Sequence, residues 1–173
     1  GEDNLDSGPS SLVYRSFRLP FIQTGRDVPE VIIRCENQIP LARGLGSSSA
    51  AVVGGLFAGN EVCGRPLDQQ DLLKLAIETE GHPDNATPAL LGGFQIAVQD
   101  GGKTVATRLP VPSDLQAVIF IPDVPMPTED ARSLLPESVP RSDAVYNMAR
   151  VGLLVSAFAS GDFTHLAVAT QDR

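Results

Sequence analysis

Two short stretches hold most of the residues that can do chemistry. The first is Pro40-Leu-Ala-Arg-Gly-Leu-Gly-Ser-Ser-Ser-Ala-Ala51. Gly44 and Gly46 permit positive φ and a close approach to the main chain. Ser47 and Ser48 are candidates to cap the helix expected from residue 50 to residue 63. A helix start carries unpaired N–H groups and partial positive charge, so phosphate is its natural ligand. The competing reading is a glycine turn before a packed helix. The second stretch gathers Glu80, His82, Asp84 and Asn85 around Gly81 and Pro83. A ligand with an ammonium and a hydroxyl can use all four, and a helix-to-helix turn with capping side chains is the alternative.

Three related loops do not fit. A Walker loop needs Gly-Lys followed by Ser or Thr, and no Lys lies between residues 40 and 51. A dinucleotide fingerprint needs a third small residue and an acidic residue about 20 positions on; Ser49 occupies the third position. A hydrolase elbow needs Gly-x-Ser-x-Gly, and Ala50 stands where its last Gly belongs.

The elements around these stretches follow from periodicity. Residues 10–21 have helical spacing, with Pro20 expected to end the helix early. Residues 31–35 are β-branched and predict a strand leading into the glycine loop. The helix after the loop is apolar or small almost all round and should be buried on most sides. Its Gly54, Gly55 and Gly59 each cost roughly 1 kcal/mol relative to Ala, which close packing against a neighbour would offset. Residues 66–81 predict a helix capped by Asp68 and stopped by Gly81. Its inward face is Leu72, Leu73, Ala76 and Ile77, with Asp71, Lys74 and Glu78 opposite. Glu80 falls on the inward line. It therefore needs a cation, a proton or strong donors, or the helix must end before it.

A short helix to Leu91 comes next, then a hairpin of residues 94–99 and 104–109 about Asp100-Gly-Gly-Lys103. Residues 116–121 predict a central strand, Thr128 caps a short helix containing Arg132, and residues 142–158 form a long amphipathic helix. Its apolar face would be Val145, Met148, Val151, Gly152, Val155 and Phe158. Residues 161–173 begin another helix, and a domain boundary is expected near residues 110–113.

Composition sets bounds. The chain has 173 residues, 42% hydrophobic, enough for a core. No apolar run reaches the roughly 18 residues of a membrane span. Cys35 and Cys63 lack metal or redox spacing and read as buried thiols. A net charge of −8 argues against a broad nucleic-acid surface. His165 sits in a helical pattern and reads as structural; Arg132 is a solvated charge or a partner for a ligand carboxylate.

The glycine loop, Glu80-Gly-His-Pro-Asp-Asn85 with Pro88-Ala-Leu-Leu-Gly-Gly93, and Thr128-Glu-Asp-Ala-Arg132 before Leu134-Leu-Pro136 resemble the homoserine kinases of the GHMP small-molecule kinase family. The resemblance runs from about residue 11 to residue 173. It implies an α+β, two-domain GHMP-kinase fold: a ribosomal protein S5 domain 2-like N-terminal domain over residues 1–110 and a ferredoxin-like C-terminal domain beginning over residues 111–173. It implies transfer of the γ-phosphate of ATP to the hydroxyl of L-homoserine, a step of threonine biosynthesis. ATP and Mg²⁺ would be the cofactors. Pro40, Arg43, Gly44, Leu45, Gly46, Ser47, Ser48 and Ser49 would hold the nucleotide, and Ser48 and Glu80 the Mg²⁺. His82, Asp84, Asn85, Arg132 and Arg173 would bind homoserine, with Asn85 and Asp84 nearest the chemistry.

With the charge and the short apolar runs noted above, no nucleic-acid or membrane partner is expected. The resemblance implies a cytoplasmic protein, or one of the plastid stroma in a plant, and is compatible with a homodimer of the full-length enzyme. Departures are informative. Nothing before residue 11 matches the family's Asn-Leu-Gly-x-Gly-Phe-Asp segment, and a later glycine-rich segment has no counterpart. An internal piece of a longer enzyme, inactive alone, is therefore the expectation. Ser49 stands where Ala is more usual. Another superfamily kinase, acting on mevalonate or a sugar, and a nucleotide-binding module without turnover are the alternatives.

Overall fold

The computed structural model describes residues 8–121, 123, 131 and 133–173. In chain order the elements are α1 (Leu12–Gln23), α2 (Ser47–Val62), α3 (Gln69–Glu80), α4 (Pro83–Leu91), β1 (Phe94–Asp100), β2 (Lys103–Leu109), α5 (Arg141–Ser160) and a single turn, α6 (Leu166–Ala169). This is a mixed helix-and-strand architecture, as the α+β expectation requires.

The first helix outlasts its proline. Ser11 caps α1 by accepting the Tyr14 N–H, and Pro20 sits inside the helix rather than ending it. An internal Pro costs about 3 kcal/mol. Phe17, Pro20 and Phe21 are all buried, and their packing with Cys63 at the end of α2 offsets that loss. The partner face on α2 is made of small residues. A Cβ on Gly55 would strike the Val13 carbonyl oxygen, and one on Gly59 the Phe17 carbonyl oxygen. The two glycines are four apart and share one face, so α1 and α2 approach backbone to backbone there. Gly54 has open space beside it and serves no such contact.

The main core lies between α2, α3 and α4. Val52, Leu56, Ala76 and Ala86 are fully enclosed, and Leu72, Leu73 and Ile77 complete the inward face of α3. Burying a Leu or Val side chain stabilises by about 1.5–3 kcal/mol. Asp68 and Asp71 form a capping box at the start of α3, and Gly81 ends it. Asn60 ties the α2–α3 connection by bonding both the N–H and the C=O of Leu67.

β1 and β2 pair antiparallel from Phe94↔Leu109 to Asp100↔Lys103, turning at Gly101 and Gly102 in left-handed conformations. Phe94 packs against Phe158 of α5, 4.5 Å between centroids with the rings tilted by 48°, and Phe158 meets Phe163 edge-on.

Two expected strands are absent among the described residues. Segments 31–35 and 116–121 have no regular structure, and Ile32, Val118 and Phe120 are almost fully exposed. A strand needs a partner for its main-chain groups, and the hairpin is the one sheet among the described residues. Cys35 is exposed rather than buried, for the same reason, while Cys63 is buried as expected. The apolar stripe of α5 also lacks cover: Val145, Met148 and Val151 are more than half exposed. The helix expected from residue 161 shortens to α6, after a turn in which Asp162 accepts from both the N–H and the hydroxyl of Thr164. The Thr128 cap and Arg132 lie outside the described residues.

Candidate nucleotide and metal site

The loop before α2 has a distinctive backbone. Ala42, Gly44 and Gly46 have φ of 53°, 69° and 74°. Gly46, not a serine, is the N-cap of α2, and no side chain caps the helix start. The expectation that Ser47 and Ser48 cap the helix is therefore corrected: the left-handed Gly46 turns the chain one residue earlier, and all three serines enter the first turn. Their N–H groups stand at the positive end of the helix.

Residues 40–48 line a cavity of about 850 Å³. Its other walls include Leu12, Val13 and Tyr14 of α1, the segment around Ile33, and Asn85. Sequence reasoning missed the α1 wall, because the apolar spacing of that helix gives no sign that its N-terminal turn borders a loop 30 residues on. Arg43 is the one Lys or Arg among the described lining residues. Its Nη2 donates to the Asp123 carbonyl at 2.9 Å, and its buried Nη1 has no hydrogen-bond partner among the described residues.

Glu80 is the last residue of α3 and is half-buried. Ser49 Oγ donates to its Oε2 at 2.6 Å, and Ser48 Oγ to the same oxygen at 3.2 Å. The inward carboxylate thus meets strong donors at the start of α2, one of the resolutions its position required. Glu78 points away and pairs with Lys74 at 3.8 Å on the surface.

The next turn holds the other candidates. His82 is the N-cap residue of α4, and its Nδ1 lies 2.5 Å from Asp84 Oδ1. That oxygen also accepts the Asn85 N–H at 3.2 Å. Asn85 is the member of this group that reaches the loop: a Cβ on Gly46 would lie 4.0 Å from Asn85 Oδ1. α4 begins at Pro83, so Asp84 and Asn85 are in its first turn rather than in a linker.

Of the residues expected at the site, Pro40, Arg43, Gly44, Leu45, Gly46, Ser47, Ser48 and Asn85 line one cavity, and Ser49 joins Glu80 behind it. His82 and Asp84 form a pair beside Asn85. Arg173 is exposed and lies against Tyr146, 4.1 Å from its ring, with its main chain bonded to Asn147. It is not among the residues lining the cavity. No cluster of three His, Cys, Asp or Glu side chains suited to a metal occurs among the described residues. A Mg²⁺ site does not need one: that ion is commonly held by one or two carboxylates with waters and substrate phosphates. Ser48 Oγ and the Glu80 carboxylate are hard oxygen donors of the right kind.

Residues 11–93 match the GHMP kinases N terminal domain. Over almost its whole length, the chain is similar to homoserine kinases. It is 42% identical over 171 residues to a homoserine kinase of Synechocystis sp., covering 99% of this chain and 56% of that protein. It is 41% identical over 172 residues to one of Carboxydothermus hydrogenoformans, with coverage of 99% and 56%. The crystal structure of homoserine kinase from Cytophaga hutchinsonii matches with a TM-score of 0.80 at 31% identity, over 99% of this chain and 56% of that one. The chain thus spans a little over half the length of the relatives it matches.

Proposed function

We propose that this chain forms the nucleotide and metal centre of a homoserine kinase, moving the γ-phosphate of ATP to the hydroxyl of L-homoserine. The observation that carries the reading is the junction of three features: the left-handed glycine loop, the uncapped start of α2, and Ser48, which lines the cavity and donates to Glu80 behind it. The triphosphate would lie along the loop, its charge met by the α2 N–H groups and by Arg43. Ser48 and Glu80 would hold Mg²⁺, which when bound neutralises phosphate charge.

Phosphoryl transfer asks chiefly for positioning and charge stabilisation. Asn85, at the loop, is suited to orient the acceptor hydroxyl toward the γ-phosphate. Asp84 Oδ1 lies beside His82 Nδ1, and this placement favours a joint role in binding the substrate ammonium over a role as free base. Arg132 would take the substrate carboxylate through a bidentate fork. The two-domain division near residue 110, and a cytoplasmic setting, belong to the same proposal. No described helix is long and apolar enough to cross a membrane.

The test is ADP release by the full-length gene product with Mg-ATP and a panel of homoserine, mevalonate and a hexose. Turnover that depends on homoserine supports the reading. Preference for another alcohol would move the chain elsewhere in the family, and tight ATP binding without turnover would favour a binding module.

A further inference from the structure

We infer that Ser49 is a positioning residue for Glu80, holding its carboxylate in place for a divalent cation. The inference rests on the reading of Glu80 as a metal ligand and adds a residue with a distinct task. Ser48 and Ser49 are neighbours in the first turn of α2, about 100° apart around the helix, and face different surroundings. Ser48 is exposed and lines the cavity; Ser49 is completely buried and does not line it. The buried hydroxyl makes the shorter bond to Glu80, 2.6 Å against 3.2 Å.

Both bonds end on Oε2, leaving Oε1 for a cation. Glu80 closes α3 just before the left-handed Gly81, where the helix itself does little to fix a long side chain. Core residues Val52, Val53 and Leu56 of α2 pack with Leu73, Ala76 and Ile77 of α3. Ser49 therefore donates from a rigid site across the helix interface. Ser48, on the open side, can turn its oxygen toward a cation without releasing the carboxylate. Alanine at position 49 preserves the helix and removes this donor.

The test is Mn²⁺ binding in the presence of ATP, followed by electron paramagnetic resonance, on the full chain with Ser49→Ala, Ser49→Thr and Glu80→Gln. Removing a partner that orients a ligand typically weakens metal binding 10–100-fold. Ser49→Ala should lie near the low end, about 10-fold, because Ser48 remains. Ser49→Thr, which keeps the hydroxyl, should restore most of the affinity. Thermal unfolding recorded beside it separates folding from metal binding. Unchanged Mn²⁺ affinity in Ser49→Ala, with loss in Glu80→Gln, would overturn the role of Ser49 alone. Unchanged affinity in Glu80→Gln would overturn the metal reading itself. Equal losses in Ser49→Ala and Ser49→Thr, tracking lowered unfolding temperatures, would reduce Ser49 to packing.

Discussion

Glu78 and Glu80 are two residues apart on α3, and only Glu80 turns toward the serines of α2. Their difference supplies a controlled pair. Glu80→Gln keeps the shape but replaces a carboxylate with an amide that binds Mg²⁺ poorly, so most turnover should be lost in the full-length gene product. Glu78→Gln removes only an exposed pair of a type worth roughly 0–1 kcal/mol, so kcat and stability should hardly move. Equal effects from both would break the distinction. Arg132→Lys keeps the charge but loses the planar fork; the KM for homoserine should rise markedly while ATP affinity stays. A matching fall in ATP affinity would assign Arg132 to the nucleotide instead. Glu80's problem was legible in the sequence, because helical periodicity sets it on the inward line of Leu73, Ala76 and Ile77. The approach of His82 Nδ1 to Asp84 Oδ1 was not, since spacing fixes neighbours but not rotamers.

The α1–α2 contact tests how the elements hold the loop. Gly59→Ala would drive a methyl against the Phe17 carbonyl, and overpacking of that kind typically costs about 1–3 kcal/mol. Gly54→Ala meets open space and should stabilise by about 0.5–1 kcal/mol through helix propensity. Denaturant melts of the two variants should therefore shift in opposite directions; a common direction would contradict the packing described. The helices could be read in sequence because their signals are local: the Asp68 box, the Gly81 stop and the 3.6-residue spacing all lie within one element. Close packing of the small helix was also foreseeable, from Gly54, Gly55 and Gly59, though not its partner, nor that Gly54 would take no part in it. Segments 31–35 and 116–121 were misread because β-branched residues signal strand preference, while strand formation depends on a distant partner. Pro20 was misread because burial of Phe17 and Phe21 outweighs a local penalty.

At the scale of the molecule, apolar surface is left open in several places. Ile32, Val118 and Phe120 are nearly bare, and Val145, Met148 and Val151 form an uncovered stripe on α5. Each large side chain left in water forgoes roughly 1.5–3 kcal/mol, against a native stability of typically about 5–15 kcal/mol. With a span of 56% of its relatives, the 173-residue chain assayed by itself should not phosphorylate homoserine at a useful rate. A cooperative melt together with homoserine-dependent ADP release from this chain would contradict that. The most direct measurement of the central claim is a ³¹P NMR time course of the full-length gene product with Mg-ATP and L-homoserine. A phosphomonoester resonance should grow as the γ-phosphate signal declines, and Glu80→Gln should abolish the exchange. An unchanged spectrum from a folded, ATP-binding protein, or transfer that survives Glu80→Gln intact, would contradict the account.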